Sequence, residues 1–95
     1  MVSDADKRAR YETERDQLRK ALAGNLVRLR GERTQEEIAL KANLHLTSIS
    51  YLERGEREPL ASTLLILAAA YGASVGEILE GISTPTERKP PARRG

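Results

Sequence analysis

Ninety-five residues set the ceiling at one domain. Apolar types make up 39% of the chain and aromatics only 3%, with three Tyr and neither Phe nor Trp, so a core must come from Leu, Ile, Val and Ala. Cysteine is absent, which excludes a disulfide framework and a thiolate metal site; the lone His45 has no second His to form another kind of metal site. No apolar run approaches the ~20 residues of a membrane span, and no apolar segment near the N-terminus resembles a signal peptide. The expectation is a soluble, cytoplasmic protein with no membrane, metal or cofactor association.

The formal charge of +2 becomes informative only when divided along the chain. Residues 1–16 carry four basic and five acidic groups, residues 17–82 carry eight of each, and residues 83–95 carry four basic groups and one acidic. The centre is neutral overall. Affinity for a polyanion there has to come from where the charges sit.

Residues 1–16 read as a charged extension of a first helix. Ser3 followed by Asp6 resembles a helix start. Only Gly24 interrupts good helix formers up to Arg30, which predicts one long helix over about 4–31. Its later part, with Leu18, Leu22, Leu26 and Leu29, has the three- and four-residue apolar spacing of a buried face.

The main domain, residues 17–82, then divides into short helices. Thr34-Gln35-Glu36-Glu37 spells a capping box. Ile38, Ala39 and Ala42 make an apolar stripe behind it, and Asn43 tolerates the left-handed backbone of a tight turn. A third helix is predicted from about Leu46 to Arg54, burying Ile49 and Leu52 and ended by Gly55. Pro59 precedes a fourth, about 60–71, with Leu64, Leu67, Ala68 and Tyr71 inward and Gly72 at its end. Ser74 caps a fifth, about 75–81, with apolar Val75, Ile78 and Leu79, and Ile82 just beyond. Residues 83–95 hold Pro85, Pro90 and Pro91 and a basic end, and read as a flexible tail. The fold class is all-α, a compact five-helix bundle whose first helix is extended at its N-terminus.

A short helix, a turn at Asn43-Leu44 and a second short helix form a helix-turn-helix arrangement. In such a pair the first helix crosses a DNA backbone, and the second lies in the major groove with its outer residues toward the bases. With Ile38, Ala39, Ala42, Leu44, Ile49 and Leu52 assigned to the interior, the second helix keeps Leu46, Thr47, Ser48, Ser50 and Tyr51 outside. These are mostly short or hydrogen-bonding side chains, and Leu46 suits a thymine methyl.

The ordered series Thr34-Gln35-Glu36-Glu37-Ile38-Ala39, then Ile49-Ser50-x-Leu52-Glu53-Arg54-Gly55-x-Arg57-x-Pro59, resembles the phage repressor/Cro (XRE-type) helix-turn-helix family. Leu64-Leu65-x-Leu67-Ala68 and Gly72-Ala73-Ser74 continue it over about two thirds of the chain. The resemblance implies a lambda-repressor-like fold and sequence-specific binding of double-stranded DNA, as in transcriptional repressors. It implies base reading by Thr47, Ser48 and Tyr51, and Leu46 and Ser50 on the same outer face complete the candidate readers within residues 46–54. It places Gln35, Asn43, Arg54 and Arg57 at phosphates, Gln35 having bracing of the recognition helix as its other role. Glu53 matches a buried carboxylate paired with an arginine of the first helix, here Arg30 or Arg28.

The chain departs from the pattern in four places, one being Leu46 where the family often has a polar reader. Arg33 runs directly into Thr34, two residues shorter than usual in the family. His45 stands where a Ser or Thr usually caps the recognition helix, which predicts a weak cap. Glu56 and Glu58 sit among the basic residues expected near phosphate and lower non-specific affinity.

Catalysis has no support: no nucleophile is matched to a base, and no Gly-rich phosphate loop exists. Because one recognition helix reads few bases, a homodimer on two half-sites is expected. The fifth helix, the apolar Leu60 and Ile66, or the charged N-terminal helix would supply the contact. Nothing points to a small-molecule ligand. The alternative function is a protein-interaction module on the same fold, such as an antitoxin or a polymerase-binding partner.

Overall fold

The computed structural model describes residues 4–82. Ser3 and the tail at 83–95, assigned above as a helix start and a flexible segment, lie outside the described residues. Five helices follow in order: α1 Asp4–Arg30, α2 Gln35–Ala42, α3 Leu46–Glu53, α4 Ala61–Tyr71 and α5 Val75–Ile78. No strand occurs among the described residues. No described helix is long and apolar enough to cross a membrane.

The core is aliphatic, as the composition requires. Leu22 and Leu26 of α1, Ile38 of α2, Ile49 and Leu52 of α3, Leu67 of α4 and Ile78 of α5 meet in one buried cluster. Leu44, assigned to the interior from sequence, is only half-buried at its edge, because it lies in the turn between α2 and α3. Leu18 and Leu29 are half-buried as well.

At roughly 1.5 Å per residue, the 27 residues of α1 make a rod of about 40 Å. Only its C-terminal half carries buried side chains, Leu22, Ala23 and Leu26. Every described residue from Asp4 to Thr13 is exposed. The apolar stripe begins at Leu18, so the earlier turns have nothing to bury. Asp4 and Asp6 at its start and Arg28 and Arg30 at its end complement the helix dipole.

The ends of the short helices follow their capping residues. Thr34 and Ser74 each form a full capping box, with Glu37 and Glu77 as the returning carboxylates. Asn43 adopts φ 54 and closes α2 in the left-handed region. His45 begins α3 with no side-chain cap hydrogen bond, as its imidazole predicts.

Boundaries differ from the sequence reading by a residue at α1, α3 and α4, and by more at α5. The last helix stops at Ile78 rather than near 81, because Leu79 leaves helical geometry and Gly81 turns at φ 77. Asn25 of α1 closes that end. Its side-chain amide donates to the carbonyls of Ile78 at 2.8 Å and Glu80 at 2.9 Å.

Candidate nucleic-acid interface

The geometry of α3 decides which of its side chains can meet a partner. Successive residues step about 100° around a helix. Ile49, Leu52 and Glu53 are the buried residues and define the inner side. Thr47, Ser50, Tyr51 and Arg54 then fall on the opposite side, with Leu46 and Ser48 at its two flanks. Tyr51 is 37% exposed and Leu46 41% exposed, and Thr47 and Arg54 are also open. Ser48 and Ser50 are half-buried between them. The long α1 does not cover this side. It approaches α3 from the core and at Gly55, where a Cβ would stand 3.3 Å from Lys20 Cα and 3.4 Å from the Arg19 carbonyl oxygen.

Arg54 and Arg57 extend the open side beyond the helix. Their guanidinium carbons lie 4.9 and 4.8 Å from the Tyr51 ring centroid, within cation–π range. Arg54 also pairs with Glu56 at 3.2 Å. Glu58 turns the other way and binds Arg15 of α1 at 3.2 Å. The two acidic residues that dilute the basic loop are therefore each engaged by an arginine. Asn43 lies exposed in the turn before α3.

Behind the open face, the inner side of α3 is fixed by a polar network centred on Glu53, the buried charged residue of the described chain. Arg30 Nε donates to both carboxylate oxygens at 2.9 and 3.0 Å. Gln35 Nε2 donates to Oε1 at 3.1 Å, and the Tyr71 hydroxyl to Oε2 at 2.6 Å. One carboxylate thus ties α3 to α1, α2 and α4. Of the two arginines the sequence left open, Arg30 makes the contact. Arg28 is occupied elsewhere, with Asn25 and with Glu80 at 3.5 Å. Gln35 braces α3 from the first turn of α2, the second of the roles the family pattern allowed it. Burial pushes the Tyr71 phenol well above its ordinary value. The hydrogen bond to Glu53 and that carboxylate's charge add to the rise, while Arg30 and Arg33 oppose it.

Arg33, Tyr71 and Asn25 were not recognised from sequence as polar partners. Arg33 explains how a shortened link between α1 and α2 still closes. Its guanidinium donates to the carbonyls of Leu29, Arg30 and Tyr71 at 2.8, 3.1 and 2.8 Å. Arg30 Nη1 donates back to the Arg33 carbonyl at 2.7 Å. The two arginine side chains reinforce a tight backbone turn in which Arg33 N donates to the Arg30 carbonyl at 3.2 Å. For Tyr71 a signal existed: an inward-facing tyrosine needs a partner for its hydroxyl. Asn25 and, in its bond to Tyr71, Arg33 reach carbonyls distant in sequence, which nothing local announces.

A short brace helix, a tight turn and a second helix with one side free and the other locked define a helix-turn-helix DNA-binding domain. The helix-turn-helix family model matches residues 26–86. The chain belongs to the phage repressor/Cro (XRE-type) helix-turn-helix family, a class of sequence-specific DNA-binding transcriptional regulators. It is similar to the HTH-type transcriptional regulator y4dJ of Sinorhizobium fredii, with 40% identity over 77% of this chain and 92% of that protein. It is also similar to the control protein C.SmaI of Serratia marcescens, with 46% identity over 48% of this chain and 55% of that protein. No solved structure matches the chain. The family is generally non-enzymatic, and membership does not favour the protein-interaction alternative.

Proposed function

We propose that the protein is a cytoplasmic repressor that binds an operator as a homodimer and reads the major groove with residues 46–54. Thr47, Ser50 and the flanking Leu46 and Ser48 face base edges, with Tyr51 on the same surface. Arg54, Arg57, Asn43 and the first turn of α2 at Gln35 lie along the phosphates. The observation that carries this reading is the free outer side of α3 beside two arginines, backed by a carboxylate network that holds the helix in place. Binding is non-catalytic and needs no cofactor or small-molecule ligand. The dimer contact is assigned to α4 and the segment before it. There Leu60, Leu65 and Ile66 are 73%, 67% and 42% exposed, and α4 contains no charged residue.

The test is selection of bound duplexes from a random pool, followed by titration of the winning sequence across salt. A specific reader recovers one preferred sequence, and its affinity falls steeply as salt rises through lost counterion release. Thr47→Ala lowers the ratio of specific to non-specific affinity by about tenfold, the scale of one lost base contact. Recovery of no preferred sequence defeats the reading.

A further inference from the structure

Tyr51 sits in the middle of the outward side of α3, where a base reader is expected, yet its ring already has two occupants. Arg54 lies one helical turn further on, at the C-cap of α3. Arg57 lies beyond Gly55, whose positive φ of 73 reverses the chain. Both guanidinium carbons come within 5 Å of the ring centroid, Arg54 at 4.9 Å and Arg57 at 4.8 Å. We propose that Tyr51 is a positioning residue for the phosphate contact: its ring gathers the Arg54 and Arg57 guanidiniums into one preformed anion-binding unit. The proposal rests on the DNA-binding reading and concerns how this surface grips the backbone.

The physical argument begins with the guanidinium group. It is planar, weakly hydrated on its faces, and carries all its N–H donors around its edge. Stacking on an aromatic ring covers a face and leaves edge donors available to phosphate oxygens. Two long arginine side chains in water would otherwise repel each other and sample many rotamers. That freedom would have to be surrendered when phosphate binds. Here the quadrupole of one ring attracts both cations and removes part of the loss in advance.

The backbone beneath them is equally settled. Arg54 N donates to the Ser50 carbonyl at 3.0 Å, and Glu56 N donates to the Tyr51 carbonyl at 3.0 Å. Gly55 lies so close to Arg19 and Lys20 of α1 that a Cβ there would press on their backbone. Nearby carboxylates are arranged compatibly. Arg15 engages Glu58 at 3.2 Å. Glu56 holds Arg54 through a solvent-exposed pair, which an incoming phosphate can replace.

A base reader and a positioning residue leave different signatures. The full-length chain carrying Tyr51→Phe or Tyr51→Leu is titrated against the duplex that the unaltered protein selects from a random pool, and against a mixed-sequence duplex. Both titrations are repeated across salt. Each phosphate contact contributes a slope of about 0.9 in log affinity against log salt. Tyr51→Leu is expected to flatten the slope by about one to two units on both duplexes. It should keep the order of sequence preference and an unchanged helical melting curve. Tyr51→Phe, which retains the ring, is expected to keep the salt slope of the unaltered protein. In the Tyr51→Leu background, Arg57→Gln should then cost several-fold less affinity than it does with tyrosine present.

The proposal is overturned if Tyr51→Leu leaves the slope unchanged, since the arginines then need no ring. It is equally overturned if Tyr51→Phe flattens the slope as much as Tyr51→Leu, because the ring is then not what gathers the arginines. Absence of salt-dependent duplex binding by the unaltered protein is a separate result. It removes the DNA reading itself, and this proposal with it.

Discussion

The Arg30 side chain of α1 meets the Glu53 carboxylate of α3 through Nε, 2.9 Å from one oxygen and 3.0 Å from the other. The pair lies on the inner side of the recognition helix, so it sets where the outer side points. Removing the cation strands a buried charge that retains only Gln35 and the Tyr71 hydroxyl as donors. Arg30→Ala is expected to cost about 3 kcal/mol in urea unfolding, the lower range for breaking a buried pair. Arg28→Ala, which loses only exposed contacts, should cost under about 1 kcal/mol. Equal losses would show that the buried pair contributes no more than the surface one.

Tyr71 gives the fold an alkaline signature. Its phenol is raised in the folded state, chiefly by burial, so folding favours the protonated form. Below the ordinary phenol value of about 10 both states hold the proton, and the contribution is fully present. As pH rises above that value, the unfolded chain releases the proton while the folded chain keeps it. Stability should then fall by about 1.4 kcal/mol per pH unit from this group. Tyr71→Phe is expected to lose about 2 kcal/mol at neutral pH, as a hydrogen bond to a charged partner disappears. It should also show a shallower decline above pH 10. Parallel declines in the two proteins would assign the alkaline loss to other groups.

Gly55 and Gly72 separate two costs that usually travel together. Both turn at positive φ, 73 and 67, so a side chain is strained at either. At Gly72 a Cβ meets nothing within 4 Å, whereas at Gly55 it meets the α1 backbone. Gly72→Ala should cost about 1 kcal/mol from left-handed strain alone. Gly55→Ala should cost about 1 kcal/mol more, because α1 must shift. Thermal melting of the two variants gives the difference directly. Matching melting points would mean that α1 yields freely at this contact.

The apolar outer side of α4 makes the oligomeric state testable. Ile66 is exposed, so Ile66→Asp leaves the core intact and places a charge on the proposed contact. Sedimentation at micromolar concentration is expected to show a dimer for the unaltered chain and a monomer for the variant. The variant's operator binding should lose its steep concentration dependence. A strict monomer before substitution, with and without duplex, would remove the dimer.

Local sequence was enough for the order of the five helices, the capping boxes at Thr34 and Ser74, and the family. These are properties of local spacing: apolar residues every three or four positions, Thr34 and Ser74 before their glutamates, glycine after a last turn. The family resemblance further implied that Glu53 pairs with an arginine on the first helix. Tertiary structure decided which arginine, because Arg28 and Arg30 are two residues apart and project about 200° apart around α1. It also brought Tyr71 and Gln35 onto the same carboxylate, let Arg33 close a shortened link, and laid Arg54 and Arg57 over Tyr51. Those choices depend on distances between elements, which a one-dimensional pattern of side chains does not encode. The surface proposed to meet DNA owes its chemical types to local sequence, and its support to contacts made only when the helices pack.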